Sequence, residues 1–181
     1  MASTSANEPL AASDRGNPVL TARQPDFAPG TGLSKEAYAA VSEALGKVLA
    51  DSYQLFIKTQ GVHWNVAGAS FYGLHKLTQG QYEDMYAAID LVAERIRALG
   101  HKAPASYTTY GELSRIKDED KPLDAGQMVS MLTRDNGLVC ESLREGLALA
   151  EQHDDVVTAD LLTSRLAQHE QNVWMLRMHT A

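Results

Sequence analysis

The stretch Gln60–Ile96, QGVHWNVAGASFYGLHKLTQGQYEDMYAAIDLVAERI, decides how the rest of the chain is read. It carries two histidines, His63 and His75, twelve residues apart across a short break, Asn65-Val66-Ala67-Gly68-Ala69. A long amphipathic pattern follows and ends in two carboxylates, Asp90 and Glu94. Those two are spaced i,i+4, so on a helix they share one face, a turn apart. Imidazole suits iron and zinc, and carboxylate suits harder ions, so the four residues together have the chemistry of transition-metal ligands.

Geometry limits how they can act. If Phe71 to Ala98 is one helix, His75 and Glu94 stand about 28 Å apart at about 1.5 Å per residue. Metal–ligand bonds are only about 2 Å long, so the two cannot share an ion within one chain. Yet His75, Gln79, Tyr86, Asp90 and Glu94 fall in one arc of about 100°. A two-fold partner with its equivalent helix antiparallel brings one chain's histidine end to the other's carboxylate end, as an isologous contact does. The expectation is a metal site built between subunits.

The run HWNVAGASFYGLHKL resembles the Dps family, the mini-ferritins named as DNA-binding proteins from starved cells. So do Asp90, Ala93-Glu94-Arg95-Ile96 and the late Trp174-Met175-Leu176-Arg177, and the resemblance spans about Ser34 to His179. It implies a four-helix subunit, a hollow dodecamer of tetrahedral symmetry, and iron-oxidising sites at the two-fold interfaces. One subunit would supply His63 and His75, and its partner Asp90 and Glu94. The family's further ligand is an aspartate one turn after the second histidine, where this chain has Gln79. An amide oxygen is a weak neutral donor, so one metal position should bind less tightly, or be completed by water or by Glu83. Fe(II) would be the substrate and hydrogen peroxide or oxygen the oxidant, with ferric mineral stored inside the shell. Zinc in the same site is the alternative metal.

Length and composition bound the rest. The 181 residues predict one domain with a sizeable core. The net charge of −7 argues against a generally basic nucleic-acid-binding surface. No apolar run approaches the roughly 20 residues of a membrane span, and the opening MASTSANEPLAASDRG lacks the basic start and apolar core of a secretory signal. The single cysteine, Cys140, excludes an intrachain disulfide and reads as a small buried hydrophobe. These features fit the cytoplasm.

Residues Met1–Gly32 have no helical or alternating period and read as a disordered tail. Arg15 and Arg23 stand there against Glu8, Asp14 and Asp26, so the tail lacks the excess of base that non-specific DNA affinity needs. A DNA-compacting scaffold with little iron chemistry is the alternative function, and this tail does not support it. Ser34 caps a first helix running to about His63, with Gly61 as a candidate close-packing position. The second runs from about Phe71 to Leu99, and the long connection His101–Pro122 implies a crossover. Asp124 caps the third long helix, which ends near His153, and the last spans about Val156 to Met178. The fold class is all-α: a ferritin-like four-helix bundle over 33–181, with a short extra helix in the crossover.

Other signals have plainer readings beside them. His101, His153, His169 and His179 read as packing histidines. No Glu is followed three residues later by His, so the within-subunit di-iron motif of conventional ferritin-like bundles is missing. Trp64 follows His63 and either intercepts oxidising equivalents or fills an interface. Lys58 reads as a surface lysine. Glu151, Asp154, Asp155 and Asp160 cluster between the last two helices. The resemblance makes them a pore for ferrous iron, whereas the local reading makes Asp154 or Asp155 a helix cap.

Overall fold

The computed structural model describes residues 26–179, which form five helices and no strand. They are α1 (Lys35–Asn65), α2 (Phe71–Ala98), α3 (Tyr107–Leu113), α4 (Ala125–Gln152) and α5 (Val156–Arg177). Of the four long helices, α1, α4 and α5 start at a side-chain cap, and α2 does not. Ser34 Oγ accepts from the Ala37 amide at 3.1 Å. Asp124 and Gln127 form a reciprocal capping box, and the Asp155 carboxylate accepts from the Thr158 amide. Such caps satisfy amides that the first helical turn leaves without partners.

α1 and α2 form a hairpin across 66–70, and α4 and α5 form another across 153–155. Between them the chain crosses the bundle through 99–124, carrying α3, which packs on α1. The buried residues follow heptad-like stripes, for example Leu74, Thr78, Gln81, Met85, Ala88, Val92 and Ile96 on α2. On α5 the stripe is Thr158, Leu162, Arg165, His169, Asn172 and Leu176. This is the 3–4 spacing with which a helix buries one stripe in a bundle core. The four-helix bundle with a short helix in its long connection is thus the fold that the sequence predicts.

Three details differ from the sequence reading. Residues 26–32 lie in the stretch assigned to the tail, and they are tied down. The Asp26 amide donates to Gly100 O at 2.7 Å, its carboxylate pairs with Arg97 at 2.6 Å, and Thr31 bonds the Tyr38 hydroxyl. Gly100 permits this contact: its φ is +87°, and a Cβ there would meet Phe27 O at 2.7 Å. The remainder of the predicted tail, Met1–Pro25, lies outside the described residues. The second difference concerns glycine. A Cβ on Gly61 meets nothing within 4 Å, whereas one on Gly146 would press on Leu162 at 3.0 Å, so Gly146 is the close-packing position.

The third is Lys58, which is a buried partner and not a surface lysine. Its ammonium meets Asp135 on α4 at 2.5 Å and donates to Lys117 O at 2.9 Å. Asp135 is fully buried, so the pair ties α1 and α4 to the crossover. Asp51 does the same nearby, accepting from Ser114, Ser142 and the Arg115 amide. No helix among the described residues is long and apolar enough to cross a membrane.

Candidate metal centre

The short 66–70 turn folds α2 back along α1 and brings His63 and His75 together. Their rings stack with centroids 3.8 Å apart and planes 19° from parallel. His63 Nδ1 lies 2.8 Å from His75 O, and His75 Nδ1 lies 2.9 Å from His63 O. A carbonyl oxygen only accepts, so both Nδ1 atoms carry the hydrogen, and each Nε2 keeps its lone pair. Metal-binding imidazoles are commonly prepared in this way, with the second ring nitrogen bonded to a carbonyl or carboxylate. Tyr82 lies edge-on to His63 at 5.2 Å, and Phe71 lies against His75 at 5.1 Å.

The lone pairs lie in the ring planes. Two nearly parallel planes 3.8 Å apart do not converge on one ion at a bond length of about 2 Å. The ring geometry thus allows the pair to serve two ions, one imidazole each, and not one ion together.

The carboxylates lie elsewhere. Asp90 and Glu94 are exposed toward the other end of α2, and neither is paired with a described residue. No group of three or more His, Cys, Asp or Glu among the described residues can hold a metal. One chain thus presents two separate groups: His63 of α1 beside His75 at the start of α2, and the carboxylates Asp90 and Glu94 near the end of α2. Tyr86 and Leu91, between and beside them, are also exposed.

Gln79 lies one turn after His75. Its Oε1 accepts from Lys76 Nζ at 3.1 Å, and its Nε2 donates to Glu83 Oε1 at 2.9 Å. The only atom of the amide able to bind a metal is thus engaged with an ammonium. Trp64 is 67% exposed, beside the histidines but turned to solvent.

The acidic group between α4 and α5 divides. Asp155 is buried, caps α5, and pairs with Arg95 at 2.7 Å, so its charge is committed inside the subunit and does not line an opening. Glu151, Asp154 and Asp160 remain exposed; Asp154 makes the turn at φ +58°. His169 is buried and bonded to Asn136 at 2.9 Å, a packing histidine as its sequence context implies. The reciprocal histidine bonds and the Asp155–Arg95 pair escaped the sequence reading. The twelve-residue histidine spacing is the only hint of the former, and the latter spans sixty residues.

Known proteins are similar to this chain in sequence and fold. The ferritin-like domain family matches residues 42–181. DNA protection during starvation protein 2 of Bacillus anthracis is 36% identical over 76% of this chain and 94% of its own. An uncharacterized low temperature-induced protein of Nostoc is 37% identical over 81% of this chain and 83% of its own. Among solved structures, the Dps protein of Vibrio cholerae has a TM-score of 0.81 at 27% identity, covering 85% of this chain and 97% of that one. It is described as a member of a broad superfamily of ferritin-like diiron-carboxylate proteins. An archaeal Dps homologue from Halobacterium salinarum has a TM-score of 0.83 at 25% identity, covering 94% and 93%. A fold and sequence matched across nearly the whole described chain make this protein a member of the Dps family of ferritin-like proteins.

Proposed function

We propose that the protein oxidises Fe(II) at sites shared between two subunits and stores the ferric product inside a hollow dodecamer, protecting the cell from oxidative damage. The observation that carries this reading is the pair of mutually braced histidines with no third ligand among the described residues of their own chain. In an antiparallel two-fold pair of α2 helices, His63 and His75 meet Asp90 and Glu94 of the partner subunit. Each imidazole then supplies one neutral nitrogen to its own ion, and the carboxylates supply the negative charge that a pair of dications requires. The exposed Tyr86 and Leu91 would be covered by the same contact.

Placing His75 between Asp90 and Glu94 of the partner subunit puts the two-fold axis beside Glu83. That is eight residues from His75, about 12 Å along the helix, too far for Glu83 to complete the site. Water is the better candidate at the position Gln79 leaves weak.

Two Fe(II) ions held together supply two electrons. Hydrogen peroxide accepts both; its O–O bond breaks, two protons are taken up, and two waters form without hydroxyl radical. The chain's residues bind and position, while the electron transfer belongs to the metal. Glu151, Asp154 and Asp160 are the acids free to draw cations toward a pore. The test is anaerobic Fe(II) oxidation with added peroxide, comparing wild type with His63→Ala/Glu94→Ala. Fast oxidation lost in the variant, with ferric product eluting with a large oligomer, supports the reading. Equal slow rates overturn it and favour zinc as the occupant.

A second reading draws on relatives named for DNA protection: direct DNA compaction. The chain's net charge of −7 opposes it. A gel shift at low salt decides, since no retardation there removes DNA as a direct partner.

A further inference from the structure

Midway along the bundle the core changes character. Gln81 on α2 is 4% exposed, and neither its Nε2 nor its Oε1 has a hydrogen-bond partner among the described residues. Asn172 on α5 is 1% exposed; its Oδ1 accepts from Gln168, but its Nδ2 is likewise unpartnered. Buried polar atoms left without a hydrogen bond cost roughly 1–3 kcal/mol each, so native interiors rarely keep them that way.

The register of α2 on α5 brings these groups to one level. Arg165 meets Asp84 at 2.5 and 3.1 Å, Arg95 meets Asp155 at 2.7 Å, and His179 approaches Gly73. Read antiparallel between those contacts, Gln81 stands level with His169, within one turn of Asn172. Asn136 of α4 joins the same layer through His169 at 2.9 Å. Three helices thus contribute neutral polar side chains to one slice of the core.

We propose that this layer is a binding site for one neutral, water-sized molecule, an ordered water, bridging Gln81 and Asn172. The unpartnered atoms are two donors, Gln81 Nε2 and Asn172 Nδ2, and one acceptor, Gln81 Oε1. Water both donates and accepts, and three partners is the usual number for a buried one. A metal ion does not fit. Asp84, the nearest carboxylate in register, is claimed by Arg165. Burial, with the Arg165 charge beside it, pushes the His169 imidazole down to about 3, so the layer rejects even a proton on its only basic nitrogen. A dication without counter-charge is less acceptable still.

A high-resolution crystal structure of the assembled protein tests this. The expected result is a density peak about 2.7–3.2 Å from both the Gln81 amide and Asn172 Nδ2. A dry layer, or a direct bond from Gln81 to Asn172 or His169, overturns the proposal. In Gln81→Leu/Asn172→Leu the peak should vanish while the melting temperature holds or rises; a peak that persists also overturns it.

Discussion

His63 and His75 hold each other through the main chain, each Nδ1 donating to the other's carbonyl oxygen at 2.8 and 2.9 Å. The hairpin that brings α1 against α2 is thus also the device that aims both Nε2 lone pairs. If the pair serves two ions, His75→Ala should remove one ion per half-site. The other should stay bound, because the residue-75 carbonyl that orients His63 is main chain and survives the substitution. Zinc titration by calorimetry reads the stoichiometry. Unchanged stoichiometry would contradict the one-imidazole-per-ion argument.

Gln79→Asp replaces a neutral amide, engaged with Lys76 and Glu83, by a carboxylate one turn from His75. Iron oxidation should become faster and less dependent on iron concentration as the weaker position fills. Stopped-flow absorbance at low iron checks this, and an unchanged rate refutes the weak-position argument.

Asp155 serves fold, not ion entry. Asp155→Ala removes the α5 cap and leaves Arg95 without its buried partner, a loss of about 3 kcal/mol read by denaturant unfolding. Asp160→Asn, at an exposed position, should leave stability nearly unchanged and slow iron uptake. If instead Asp155→Ala changes only uptake, the capping assignment fails.

His169 predicts an acid limb. Its folded-state value is about 3, below the ordinary 6.5, because burial disfavours the charged ring. A depressed histidine means that the unfolded chain takes up a proton the folded one refuses. Stability therefore falls as pH drops below about 6.5, by roughly 1.4 kcal/mol per unit until about pH 3. His169→Gln lacks this titration, so wild type should lose melting temperature faster than the variant between pH 6.5 and 4.5. Parallel curves would show that the ring becomes protonated in place.

Gly100→Ala tests the docking of residues 26–32. At φ +87°, with Phe27 O only 2.7 Å from the new Cβ, the substitution should cost at least about 1 kcal/mol. The cheapest relief is release of the segment. Hydrogen exchange at the Asp26 amide, now bonded to Gly100 O, should accelerate.

Sequence alone determined the helices. Ser34, Asp124 and Asp155 signal helix starts within a few residues, because caps are local contacts between a side chain and the next turn. The rise per residue along α2 keeps His75 and Glu94 apart, so their spacing rules out one ion shared by both within one chain. Tertiary structure decided the rest. Whether Lys58 faced solvent or Asp135 depended on a helix seventy-seven residues away. The fate of Asp155 depended on Arg95, that of residues 26–32 on Gly100, and the polar layer on four side chains from three helices. The two histidine tautomers were settled by carbonyls that only the folded hairpin supplies. Such contacts join residues remote in the chain, and no local period or cap records them.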